Sequence, residues 1–224
     1  MTESSTTYEH LDPAAVASEV SQVERRLVCD TLDEVGPDAP TLCAGWNAHR
    51  LVAHLHAREA SPLLAATAPI PRLSDRVAAR IAHRTGFSRL VDEVRAGPPR
   101  ILSHRLSRLE AHVNTLEFYI HHEDLRRAAP SWEPRVLPSW AEDKIWVRVG
   151  GLARFRSRGN RGAIAFERLD TGQRSGSGQD ADIVVRGLPS ELALHASGRG
   201  RVSRVEVRGA ASAVAAYNRA RSTA

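Results

Sequence analysis

The residues best placed to do chemistry lie in the run Asn114-Thr115-Leu116-Glu117-Phe118-Tyr119-Ile120-His121-His122-Glu123-Asp124-Leu125. On a helix, Glu117 and His121 stand one turn apart on one face, where both side chains can reach a common ion. A carboxylate and an imidazole make only half a site, so a further ligand must come from another segment. His54, beside Leu51 and Leu55 on the inward side of a second helical pattern, is the leading candidate, with His49 and His56 equally near in sequence. Two imidazoles and one carboxylate leave coordination positions open for water or substrate, as catalytic metal sites do and closed structural sites do not. Each group also has a plainer reading. His54 can be a hydrogen-bonded core histidine, and Glu117 with His121 an ordinary helix pair. Burial weighs toward an ion, since a divalent cation offsets the cost of a carboxylate set into an apolar helix face.

The neighbouring polar groups carry expectations of their own. Asp124, one turn after His121, can accept a hydrogen bond from that imidazole or pair with Arg58 or Arg127. His122 points about 100° off the face and is expected to meet solvent or the following linker, as His56 is expected to point outward. Trp46 is expected to plug the core and anchor the loop before the second helix. The chain has no Gly-x-Ser-x-Gly elbow and no glycine-rich phosphate loop. Its two cysteines, Cys29 and Cys43, have no metal-ribbon spacing and no base nearby in sequence. Both cysteines therefore read as reduced packing residues, and a covalent nucleophile is not expected.

The elements that must position these groups follow from apolar spacing and chain breakers. Helical patterns cover Ala14 to Glu34, Asn47 to about Ala60 with Asn47 as cap, and a stretch from a Ser74 or Asp75 cap to Arg84. That third pattern continues after Gly86 from Phe87 to Arg95, a fourth covers about Leu102 to Ala129, and Pro62 to Pro71 reads as an irregular connection. Together these predict an antiparallel four-helix bundle, a fold that builds metal sites from facing helices. Proline-rich residues 130–138 read as a linker. Beyond it come a helix from Trp140 to Phe155, a strand from Ala163 to Leu169, turn-like residues Thr171 to Gln179 and a strand from Ala181 to Gly187. A short helix from Pro189 to Ala196, a strand from Val202 to Arg208 and a helix from Ala210 to Ala220 close the chain. The fold expected is thus a helical domain over residues 10–130 followed by a small α+β domain over residues 139–224.

Composition narrows the functional classes. The 224 residues carry a formal charge of +5, yet Lys144 is the only lysine among 31 basic residues, and arginines interleave with acids. With no nucleic-acid module signature, the charge reads as solvated surface and nucleic-acid binding is not expected. The first ten residues lack the basic-then-apolar pattern of a signal peptide, and no apolar run approaches the roughly 18 residues of a membrane span. A soluble cytoplasmic protein, monomer or dimer, is expected.

Two strings then carry a resemblance. Leu-Cys-Ala-Gly-Trp-Asn-Ala-His-Arg-Leu-Val-Ala-His-Leu at residues 42–55 and Asn-Thr-Leu-Glu-Phe-Tyr-Ile-His-His-Glu-Asp-Leu-Arg-Arg-Ala at 114–128 resemble the metal-binding domain of the mycothiol-dependent maleylpyruvate isomerase family. The match is nearest its uncharacterised metal-binding branch, and the family lies within the DinB-like four-helix-bundle superfamily. The resemblance spans roughly residues 10–130, and extends more weakly to Gly187-Leu188-Pro189-Ser190-Glu191-Leu192 and Val205-Glu206-Val207-Arg208-Gly209. It implies an ion held by a histidine of the second helix and a Glu-x-x-x-His pair of the last bundle helix, which by motif are His54, Glu117 and His121. It further implies a mycothiol-dependent transferase or isomerase in which a metal-stabilised thiolate meets a small electrophile. The alternative is a non-catalytic metal- or small-ligand-binding module serving regulation or stress response. Zinc suits the donor set first, and nickel, cobalt or manganese also fit. An arginine from the C-terminal domain is implied near the ion. Arg199, Arg219 and Arg221 are candidates, none matched by motif, so maleylpyruvate itself does not follow as substrate.

Overall fold

The computed structural model describes residues 20–60, 71–98, 115–157, 163–176 and 181–222, which fall into two compact units, Met1–Glu133 and Pro134–Ala224. The described part of the first unit is helical. Helix α1 (Val20–Val35) buries Val28, Cys29 and Leu32 on one stripe, and α2 (Ala48–Ala60) buries Leu51, Val52 and Leu55. The Asn47 side chain accepts from the Arg50 backbone N–H at 3.0 Å, so α2 is capped as its sequence predicts. Helix α3 (Pro71–Arg84) starts at a proline, whose fixed φ suits a first turn. Ser74 and Asp75, expected as caps, therefore lie inside the helix, at its fourth and fifth residues. Helix α4 (Phe87–Ala96) supplies Leu90, Val91 and Val94, and α5 (residues 115–126) supplies Phe118 and Leu125. These residues share one apolar core with those of α1 and α2. The expected helix over Ala14–Glu34 is thus described from Val20 on, and that over Leu102–Ala129 from residue 115 on. The expected connection Pro62–Pro71 lies outside the described residues up to residue 70.

One half-buried cation ties this core together. Arg25 of α1 makes a two-nitrogen ion pair with Glu59 of α2, donates to the Val94 carbonyl at 2.8 Å, and sits 4.5 Å from the centre of the Phe118 ring. Its planar fork thereby links four helices in a geometry a lysine could not match.

The second unit combines helices with a four-stranded mixed sheet. Helix α6 (Ser139–Ser157) is followed by β1 (Ile164–Arg168), β2 (Arg174–Gly176), β3 (Ile183–Gly187), α7 (Pro189–Ala196), β4 (Glu206–Gly209) and α8 (Ala211–Ser222). The strand order is β2-β1-β3-β4, with β1 and β3 parallel in the centre and both outer pairs antiparallel. Ile183 and Val185 alternate into the core along β3, whereas β1 is buried almost throughout, as a central strand of a covered sheet should be. Strand β2 corrects the turn expected at Thr171–Gln179. Its three residues are held by pairing with β1, at a register that sets Gly176 opposite Ala165. Gly176 has φ of 112°, and a Cβ there would stand 2.5 Å from the Ile164 carbonyl oxygen, so only glycine fits. Glu142 of α6 accepts from both the backbone N–H and the hydroxyl of Ser190, which gives these buried donors at the start of α7 a partner. Among the described residues no helix is long and apolar enough to cross a membrane.

Candidate metal centre

The Asn114–Leu125 segment is helical from Thr115 through residue 126, which stacks Glu117 and His121 one turn apart. Their side chains meet, with His121 Nε2 lying 3.2 Å from Glu117 Oε1. Helix α2 brings His54 to the same oxygen at 3.1 Å through its own Nε2. One donor atom from each residue thus converges within 4.8 Å of the others, and the two imidazole rings meet edge to face with centroids 5.0 Å apart. Both histidines are buried, while Glu117 keeps 24% of its side chain exposed, so the group opens on the carboxylate side.

The far side of each ring is also held. His54 Nδ1 lies 3.1 Å from the Ser74 hydroxyl and His121 Nδ1 lies 2.9 Å from Asp124 Oδ2. A partner at Nδ1 fixes the direction of the ring, and so aims Nε2 at Glu117. The two Nδ1 partners differ in kind. A serine hydroxyl is neutral, whereas the Asp124 carboxylate is fully buried and makes the His121 imidazole the more basic of the two. Three donors on two helices, both histidines turned toward one carboxylate and each braced from behind, fit a divalent cation.

The local charges agree with this arrangement. Burial pushes the Glu117 carboxyl up, but the hydrogen bonds from His121 and His54 and the nearby Arg58 charge outweigh it and hold Glu117 well below the usual carboxylate range. Burial pushes His54 down, and its hydrogen bond to Glu117 recovers only part of the shift, so the site favours the neutral imidazole there. His121 is driven the other way: burial lowers it, and Asp124, Cys43 and Glu117 together raise it well above the ordinary histidine value. Arg58, one turn beyond His54, places its Nε 3.3 Å from Glu117 Oε1. Of the two arginines suggested for Asp124, Arg58 thus turns to Glu117, and Arg127 pairs with Glu123 while lying over the Trp132 ring.

Several surroundings differ from the expectations. His122 is 3% exposed instead of facing solvent, with Nδ1 2.9 Å from Glu24 Oε2 and Nε2 3.0 Å from the Thr31 hydroxyl. Helix α1 covers the face that His122 presents, which spacing along α5 alone could not reveal. Trp46 is half-buried. It donates from Nε1 to Asp75 at 2.9 Å, and its ring lies 5.1 Å from that of His54, so it walls the centre as well as anchoring its loop. Ser74 and Cys43 were not anticipated beside the site. Cys43 donates to Asp124 Oδ2 at 3.1 Å, 81 positions away along the chain, and no local pattern encodes that contact. In the second unit Arg221 donates to the His195 carbonyl and lies over the Tyr217 ring, and Arg199 donates to the Ser197 carbonyl.

No family model matches this chain, and no curated protein matches it by sequence. Two solved structures match its fold, the mycothiol-dependent maleylpyruvate isomerase and a histidine-to-alanine mutant of that enzyme. Each aligns over 90% of this chain and 95% of its own with a TM-score of 0.51, at 17% and 16% identity respectively. The likeness is one of fold.

Proposed function

We propose that this chain is a distant relative of the mycothiol-dependent maleylpyruvate isomerases, and that it binds a divalent ion through His54, Glu117 and His121. In this reading residues 10–130 form a DinB-like four-helix bundle and residues 139–224 a small α+β domain of a soluble, cytoplasmic enzyme. The carrying observation is that both Nε2 atoms lie within about 3.2 Å of one Glu117 oxygen while both Nδ1 atoms are braced from behind. The shared fold and the motifs at residues 42–55 and 114–128 support the same reading.

The activity proposed is a thiol-dependent isomerase or transferase acting on a small electrophile, with mycothiol or a similar low-molecular-weight thiol as cofactor. Zinc is the first choice of ion, and when bound it stabilises the thiol in its deprotonated, nucleophilic form. The protein groups supply the rest. Asp124 and Ser74 hold the two rings so that both Nε2 atoms face Glu117, where an ion would replace the protons shared with that carboxylate. The Arg58 guanidinium adds a positive charge beside Glu117, which favours an anionic sulfur or a substrate carboxylate at the open side. Leu51, Leu55 and Phe118, each at most 1% exposed, keep bulk water from the back of the group and strengthen these interactions.

Elemental analysis of the purified protein is expected to find a divalent ion whose content falls in His54→Ala and is lost in His121→Ala. Full metal content in the double variant refutes the site. A thiol-consumption assay across a panel of electrophiles separates the enzyme from a non-catalytic ion-binding module, since only the enzyme consumes thiol in an ion-dependent way.

A further inference from the structure

A second set of donors meets on the other side of the His121 ring. Cys43 Sγ, His121 Nδ1 and Asp124 Oδ2 lie within 4.8 Å of one another, with Cys43 half-buried and the other two buried. The sulfur is 3.1 Å from the carboxylate oxygen and 3.9 Å from the ring nitrogen, and those two are 2.9 Å apart. A tetrahedral ion with bonds of about 2.3 Å to sulfur and about 2.0 Å to nitrogen or oxygen needs ligand separations of about 3.3 to 3.6 Å, a range the three distances bracket.

The loop that carries Cys43 is fixed in place. The Leu42 N–H donates to the Asp124 carbonyl at 3.0 Å. The Thr41 hydroxyl accepts from the Cys43 N–H at 3.2 Å and donates to the Trp46 carbonyl at 2.9 Å. The thiol is therefore held over adjacent turns of α5, with no dependence on a swinging segment. The two nitrogens of one imidazole point away from each other, so this set cannot complete the coordination of an ion held at His121 Nε2.

We infer that Cys43, His121 and Asp124 form a second seat, one that takes a soft, thiol-seeking divalent ion such as cadmium or zinc. Loading it releases two protons to solvent, that of the Cys43 thiol and the one His121 Nδ1 shares with Asp124, and forms metal–thiolate and metal–imidazole bonds with no change of oxidation state. A neutral imidazole has one lone pair, so a ring that gives Nδ1 to an ion keeps its proton on Nε2. The two seats therefore compete for His121, a competition that rests on the reading of His54, Glu117 and His121 as the first seat. Softer ions favour the sulfur-bearing seat and harder ones the first.

Titration of the full-length protein with cadmium alone, followed by the ultraviolet thiolate-to-cadmium charge-transfer absorbance, tests this. The wild type is expected to develop the band and saturate at a single equivalent, and Cys29→Ser and Glu117→Gln are expected to keep it. Cys43→Ser and Cys43→Ala are expected to lose it while circular dichroism shows them folded. Absence of the band in the wild type, or its loss with Cys29→Ser in place of the Cys43 variants, overturns the second seat. Simultaneous saturation of both seats overturns the competition. Zinc retention at wild-type affinity by Glu117→Gln in a Cys43→Ser background counts against the first seat only, and the cadmium band still decides the second.

Discussion

Replacing Asp124 with Asn isolates what a buried carboxylate does for a histidine ligand. The substitution keeps shape and an acceptor oxygen at a position that is fully buried, so it opens no cavity; what it removes is charge 2.9 Å from His121 Nδ1. A hydrogen bond to a charged partner contributes about 1.5–3 kcal/mol and one between neutral groups about 0.5–1.5, so the loss is about 1 to 2 kcal/mol. At about 1.4 kcal/mol per tenfold, zinc affinity should fall roughly five- to thirty-fold, consistent with the effect of altering groups that brace metal ligands. Ser74→Ala removes only a neutral partner from His54, and should weaken zinc by about two- to ten-fold. Both are best measured in a Cys43→Ser background by competition against a chelating dye, so that only the His54, Glu117 and His121 set is read. Circular dichroism should show both variants folded. Unchanged affinity in Asp124→Asn, or a larger loss in Ser74→Ala than in Asp124→Asn, refutes the reasoning that the carboxylate charge tunes His121.

Three further outcomes follow from packing and charge. Leu51 is 0% exposed within the helical core, so Leu51→Ala should destabilise the first unit by about 2–5 kcal/mol, and an unchanged urea midpoint would contradict its placement. Gly176→Ala must force backbone apart at Ile164 and adopt a positive φ. It should cost about 1–3 kcal/mol in urea unfolding of the full chain, and an equally stable variant would show that β2 is not held as described. Burial raises the Glu142 carboxyl above its ordinary value, and the hydrogen bonds from Ser190 only partly offset this. The folded chain then binds that proton more tightly than the unfolded one, so the stability contributed by this group is present below the unfolded carboxylate range of about 4.3 and is lost as pH rises through the folded value. Glu142→Gln should flatten the fall in urea stability as pH rises above the unfolded carboxylate range, whereas a variant retaining the full slope would assign it to another group.

Much of the local structure was legible in the chain itself. The period of Leu51, Val52 and Leu55, with Asn47 ahead of them, announces α2 and its cap, and the helix Pro189–Ala196 forms over the residues its proline start predicts. Strand β2 was not legible, because three residues in a Gly- and Ser-rich stretch become a strand only through their partner β1. His122 shows the same limit. Its angle on α5 follows from its number, but whether that angle meets water or Glu24 and Thr31 depends on where α1 packs.

The sequence by itself determined that Glu117 and His121 share a helix face, because the helical repeat acts over four residues and needs nothing from the rest of the chain. It also placed His54 on the inward side of its own helix. Tertiary structure alone decided that His54 and His121 turn to one Glu117 oxygen, that Ser74 and Asp124 brace them, and that Cys43 stands behind His121. Those contacts join residues 20 to 81 positions apart, apart from the pairs within α5. They are set by which helix faces bury together and which polar groups must then find partners away from water, so no local spacing encodes them.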